Sequence, residues 1–189
     1  MQATTSSRKN PEMTRQKILN HTIQLAAEKG VSGVSIQGVA DLVGVSKGGV
    51  FHHFPNKQKL LEEMIAELLQ RLDGFVDQAI AKDPVAQGCF TRAYIEATLQ
   101  AEPDEVQLWS AISMTILTEP VLNNMWMRWY QARLKRHKQT DDHLELKILR
   151  YAADGVWLTA FAEIDDPNET EHMKQELIQR SYFKSSNKQ

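Results

Sequence analysis

The segment 35–57, SIQGVADLVGVSKGGVFHHFPNK, leaves this chain few folds to choose from. Ser35 can cap a helix on which Ile36, Val39, Ala40 and Val43 recur at i, i+3, i+4 and i+7. Gly44 can then adopt the left-handed conformation that ends it. Ser46 caps a second helix over 47–54, and Asn56 opens a third. Helices of about two turns do not persist alone and must dock on something else. Two of them at this spacing meet the requirement of a helix-turn-helix, where one helix braces and the other enters the major groove of DNA.

The rest of the chain reads as helical too. Pro11 and Glu12, after Asn10, suit a first helix that carries Ile18, Thr22, Leu25 and Ala26 on one face and stops at Gly30. A long helix over 57–82 bears a stripe of Leu60, Leu61, Met64, Ile65, Leu68, Leu72 and Phe75. Further helices are expected at about 84–101, 104–118, 120–138, 141–164 and 168–182, with Pro84, Pro103, Pro120 and Pro167 at or just before their starts. The expected fold is all-α with about nine helices. It divides into a three-helix DNA-binding domain at 10–57 and a helical body domain at 58–183. The ends, 1–9 and 184–189, read as disordered.

Charge supports the same division. Residues 1–57 carry seven Lys/Arg against three acids, a net of +4; the whole chain is −2, so the remainder carries −6. A basic head on an acidic body suits phosphate binding at one end. No apolar run reaches the length of a membrane span, and MQATTSSRK lacks a signal-peptide core, so a cytoplasmic protein with no membrane partner is expected. The single cysteine, Cys89, cannot form an internal disulfide and reads as a buried small hydrophobe. Adjacent helical residues point about 100° apart, so His52 and His53 do not jointly chelate an ion, and neither a metal site nor a cofactor is expected.

The run GVSKGGVFHHFPNKQKLL (44–61) resembles the turn, recognition helix and following helix of TetR-family transcriptional repressors. The resemblance covers about residues 12–75, with the body similar in layout only. Carried onto this chain, it implies DNA contacts by Gln37, Gly38, Ser46, Lys47, Gly48, Gly49, Phe51, His52 and Lys57. Phe51 stands where the family usually has a tyrosine that hydrogen-bonds a phosphate, so that bond is lost here. Gly49 lacks a side chain often present in the family, and specificity is expected to lean on DNA shape and half-site spacing. Phe54 reads as a core anchor. Arg8 and Lys9 read either as a solubilising tail or as a minor-groove arm.

The resemblance also implies a small-molecule effector among the body helices and a homodimer. Candidate effector contacts are Trp109, Met114, Trp126, Trp129, Asp154, Trp157 and Phe161, an aromatic and methionine-rich set in the C-terminal half. Asp154, Trp157 and Phe161 fall at i, i+3 and i+7, which would suit a lipophilic cation and efflux control. An Arg150–Asp154 helix ion pair is the competing reading. Glu96, Glu119 and Glu163 are further acids that could face a cavity. Leu144, Ile148, Tyr151, Ala152, Gly155 and Thr159 form a face of mixed bulky and small residues for the dimer. The basic run at 133–138 reads as a solvated helix end.

Two functions remain open: a dimeric repressor released from a near-palindromic double-stranded operator by an effector, or a DNA-bound scaffold or nucleoid-type factor with a protein partner and no small ligand. Nothing pairs a nucleophile with a base, so no enzyme is expected.

Overall fold

The computed structural model describes residues 11–100, 109, 112–113, 115–162 and 166–182, the side chain of Phe161 excepted. Its helices are α1 (Pro11–Gly33), α2 (Ile36–Val43), α3 (Lys47–His53), α4 (Lys57–Lys82), α5 (Cys89–Thr98), α6 (Pro120–Arg136), α7 (Lys138–Asp141), α8 (Leu144–Phe161) and α9 (Pro167–Arg180). Residues 115–118 are helical as well, and no strand occurs among the described residues. The all-α expectation holds. The ends at 1–9 and 184–189 lie outside the described residues, as do Pro103 and the helix start expected there.

Contacts divide the chain into one unit of Met1–Glu67 with Leu108–Leu122 and another of Leu68–Gln107 with Asn123–Gln189. The division falls inside α4, past the 57/58 boundary expected from the sequence. Its first turns bury Leu60, Leu61, Met64 and Ile65, and Arg15 of α1 binds Glu63 at 2.6 Å.

In the first unit, Ile18, Leu19, Val34, Val39, Val50 and Phe54 are buried. Gly30 breaks the helical path of α1 with φ 70°, as expected of a stop. The Arg15 guanidinium lies 5.3 Å from the Phe54 ring centroid, so Phe54 anchors the end of α3 as predicted. Asn56 caps α4, its side-chain oxygen accepting the Lys59 N–H at 2.7 Å.

In the second unit, α5 is buried along its whole N-terminal half, from Cys89 to Ile95. One side joins Leu99, Leu146, Leu149, Ala153 and Leu177 around Ile95; the other joins Val76 and Tyr94 around Phe90. Three sequence expectations change here. First, α5 begins at Cys89 and not near Pro84. Asp83 accepts the Val85 N–H at 2.9 Å and the Arg92 Nε–H at 2.6 Å, which pins 83–85 as a turn, and Gly88 follows at φ 77°. A Cβ at Gly88 would come within 2.9 Å of Arg92 Nη1 and 3.1 Å of Leu146, so the position needs glycine on both counts. Second, the α4 stripe advances by fours through Leu68, Leu72 and Val76, which leaves Phe75 exposed and Val76 buried. Third, Arg133 is not solvated. It is buried, donates to Asp77 at 2.5 Å and also binds Asp73, while Lys135, Arg136 and Lys138 are exposed as expected.

Candidate nucleic-acid interface

Each serine expected to cap a short helix does so. Ser35 Oγ accepts the Gly38 N–H and Ser46 Oγ accepts the Gly49 N–H, both at 3.0 Å. Between them Gly44 sits at φ 73°, ψ 39°, and the N–H groups of Gly44 and Val45 both donate to the Ala40 carbonyl at 3.0 Å. That left-handed residue is what lets α3 leave α2 after a three-residue turn.

Two faces of α3 then part company. Val50 and the capping Phe54 are buried, while Lys47, Gly48, Phe51 and His52 are exposed. Lys47 Nζ lies 5.8 Å from the Phe51 ring centroid, so the ring that lacks a phosphate-binding hydroxyl instead steadies a cation. Lys57 is half-buried and its Nζ donates to the Ser32 carbonyl at 3.4 Å. Gln37 is exposed and donates to Asp41 at 2.8 Å, so it must break that bond to read a base.

The glycines separate into two kinds. A Cβ at Gly38 would lie 3.0 Å from Ser35 Oγ and 3.4 Å from Leu25, so the capping hydroxyl of its own helix, with α1 close behind, accounts for that glycine. At Gly49 a Cβ would make only ordinary contact with Val45 and Ser46, the nearest atom at 3.4 Å. At Gly48 it would meet Ser46 Oγ alone, at 3.8 Å. Nothing among the described residues requires Gly48. His52 and His53 meet edge to face, with centroids 5.3 Å apart and His53 turned toward Phe54, and do not face each other as ligands.

The residues suggested for an effector do not form a single group. Trp109 is half-buried in the first unit. In the second unit Trp126 and Trp129 touch, centroids 5.1 Å apart, and Trp129 lines a cleft of about 370 Å³ with Leu69, Asp73 and Arg133. Trp129 Nε1 donates to Asp73 at 2.7 Å. Trp157 packs against the Ile95–Leu146 cluster. Of the further acids, Glu96 and Glu119 are exposed; Glu163 and the side chains of Met114 and Phe161 fall outside the described residues.

Asp154 settles the competing reading of its helix. Arg150 turns away to Asp141 and donates to Thr91 Oγ1 at 2.5 Å, while Asp154 accepts the hydroxyl of Tyr94 at 2.6 Å. Tyr94, in ring contact with Tyr130, lay beyond sequence reasoning because it is remote in the chain. Although Asp154 is exposed as a residue, loss of solvent around its carboxyl raises its pKa above the ordinary 3.8, opposed by the Tyr94 bond and the Arg150 charge. A raised acid favours the protonated fold, so its contribution to stability is present below the ordinary value and is lost as pH rises through the raised one. Tyr94→Phe removes one opposing influence and is expected to raise the Asp154 pKa further. A carboxyl carbon NMR titration reads this directly, and a fall or no change would disprove the bond's role.

On α8, Leu144, Ile148, Tyr151 and Leu158 are 67%, 48%, 57% and 51% exposed. Gly155 is exposed, and a Cβ there would meet nothing within 4 Å; Ala152 and Thr159 are half-buried at the edge. Together they line up at i, i+4, i+7, i+11 and i+14, one uncovered apolar strip.

A family model described as "Bacterial regulatory proteins, tetR family" matches residues 18–64, and one described as "Tetracyclin repressor-like, C-terminal domain" matches 88–182. The HTH-type transcriptional repressor KstR2 of Rhodococcus jostii is 32% identical over 164 residues, covering 76% of each chain. The HTH-type transcriptional regulator BetI of Vibrio campbellii is 26% identical over 161 residues, covering 78% of this chain and 80% of that one. Among solved structures, the multidrug binding protein EbrR, complexed with malachite green, shares the fold at TM-score 0.69 and 19% identity, covering 88% of this chain and 96% of that one. The relatives are regulators and not enzymes, and no described helix is long and apolar enough to cross a membrane. With matching models over both its head and its body, the chain belongs to the TetR family of DNA-binding transcriptional regulators.

Proposed function

We propose that this regulator sits on a near-palindromic operator as a homodimer, represses from it, and is released when a small molecule binds its body. The observation that carries the reading is α3. Its buried face is fixed by Val50 and Phe54, and its opposite face offers Lys47, Gly48, Phe51 and His52 to solvent. A helix docked in this way suits entry into a major groove, and in this reading Lys47 and Lys57 meet phosphates, Lys57 by leaving the Ser32 carbonyl.

Fluorescence anisotropy on its own promoter fragment tests it. Lys47→Ala and Lys57→Ala should each weaken binding on every sequence and each reduce the slope of log K against log salt by about 2, about 1 for each subunit of the dimer. If both variants keep the wild-type slope and affinity, α3 is not the groove-reading element.

The α8 strip supports the dimer, because a two-fold pair through it would cover Leu144, Ile148, Tyr151 and Leu158 at once. Two copies would present their recognition helices about 34–36 Å apart, one turn of DNA. For the effector, Asp154 beside Tyr94 and Tyr130 favours a lipophilic cation. The cleft at Trp129 carries Arg133 and Arg136 against Asp73, a balance that does not favour a cation. A structural relative of the same fold was crystallised with malachite green. Quenching of tryptophan fluorescence by malachite green, lost in Asp154→Asn, is the expected result; a flat titration rules out this class of ligand.

A further inference from the structure

We propose that Cys89, His137 and Asp141 form a binding site for a divalent transition-metal ion of the zinc class. One ligand atom from each lies within 4.8 Å of the others. Cys89 opens α5, while His137 is the N-cap of α7 and Asp141 its last residue, so two elements of one unit converge. Thiolate, imidazole and carboxylate together are a donor set that zinc accepts, with a solvent molecule completing four-coordination.

A second observation comes from His137. Its Nε2 is buried and makes no hydrogen bond among the described residues. The ring stacks on Phe90, centroids 5.3 Å apart and planes 8° from parallel, so the imidazole is held in place without satisfying that nitrogen. A buried polar atom of this kind is costly unless something meets it. A metal ion that takes that nitrogen as its ligand would satisfy it.

Asp141 already has partners, and they limit the geometry. It accepts the Thr91 N–H at 2.7 Å, the Thr91 hydroxyl at 2.6 Å and the Thr140 hydroxyl at 2.8 Å. Its fourth contact, from the Phe90 N–H, is long at 3.4 Å, and this is the lone pair a metal would take over. Donor atoms around tetrahedral zinc stand about 3.3–3.6 Å apart, so the triad must draw in by about 1 Å. With the His137 ring held against Phe90, rotation about the Cys89 Cα–Cβ bond would have to supply most of that. On binding, the S–H bond of Cys89 breaks, a sulfur–metal bond forms, and the proton passes to solvent. None of these residues belongs to the α3 surface, so the metal reading and the DNA reading stand or fall separately.

Cobalt(II) titrated alone into the reduced, chelator-treated full chain is the test. One equivalent should produce a near-ultraviolet thiolate-to-cobalt absorption and the visible bands of four-coordinate cobalt, both abolished by added zinc. Cys89 is the single cysteine, so any such absorption reports this site. Cys89→Ser, nearly isosteric and checked for folding by circular dichroism, should lose the near-ultraviolet band. His137→Gln should bind cobalt about tenfold more weakly or worse, since losing a ligand costs at least what losing an outer-shell partner does. No thiolate absorption in excess cobalt overturns the site, as does wild-type affinity in His137→Gln; the latter variant decides the matter if Cys89→Ser does not fold.

Discussion

Ile148→Glu should turn the proposed dimer into single subunits and weaken operator retention by about two orders of magnitude or more, the usual loss when two linked contacts become one. The residue is 48% exposed at the middle of the α8 strip, between Leu144 and Tyr151, so the lone subunit tolerates glutamate. In a two-fold contact the same substitution buries two carboxylates face to face. Sedimentation velocity and anisotropy on one preparation read both consequences. A glutamate variant that stays dimeric would move the interface elsewhere, while a monomer with undiminished operator affinity would separate DNA binding from dimerisation. The salt slope per subunit should be unchanged, because Lys47 and Lys57 are untouched.

The second large effect concerns stability. Asp141→Ala should destabilise the chain by about 3–5 kcal/mol, as expected when one partner of a buried charged network is removed. The carboxylate is buried and caps α5 from outside that helix, through the Thr91 and Phe90 N–H groups. Its loss would also leave buried Arg150, whose Nε already makes no hydrogen bond among the described residues, with Thr91 Oγ1 as its main acceptor. Asp141→Asn keeps an acceptor oxygen for the Thr91 N–H and should recover more than half of the loss. Urea unfolding in the presence of a chelator keeps any metal contribution out of the measurement. A change below about 1 kcal/mol at unchanged m would mean that α5 does not depend on this cap.

Local grammar made the head legible. Ser35, Gly44, Ser46 and Asn56 announce caps and a stop that each act within four residues of themselves, and the structure realises every one. The strip on α8 was legible only in part: helical periodicity put Leu144, Ile148, Tyr151 and Gly155 on one face, but the expected set left out exposed Leu158 and included half-buried Ala152 and Thr159. What the sequence hid depends on partners far along the chain. Arg133 looked like one more charge in a basic run, and only Asp73 and Asp77 on α4 reveal it as buried. Asp154 had a plausible neighbour in Arg150, but Tyr94 and Asp141, each in another element, redistributed the bonds. Cys89 stands far from His137 and Asp141 in sequence, and His-x-x-x-Asp alone is too common a spacing to attract notice. Pro84 misled for the opposite reason: the residue before it, Asp83, was recruited by Arg92, and the helix waited for Gly88.

Gly48 carries a practical consequence. Since an added methyl group there would touch nothing but the Ser46 hydroxyl at 3.8 Å, the position can accept new side chains without disturbing the scaffold, and most of them would favour a helix more than glycine does. A library varied at this one residue could therefore yield repressors that prefer altered operators while inheriting the parent's folding, which makes the protein a convenient parent for orthogonal genetic switches.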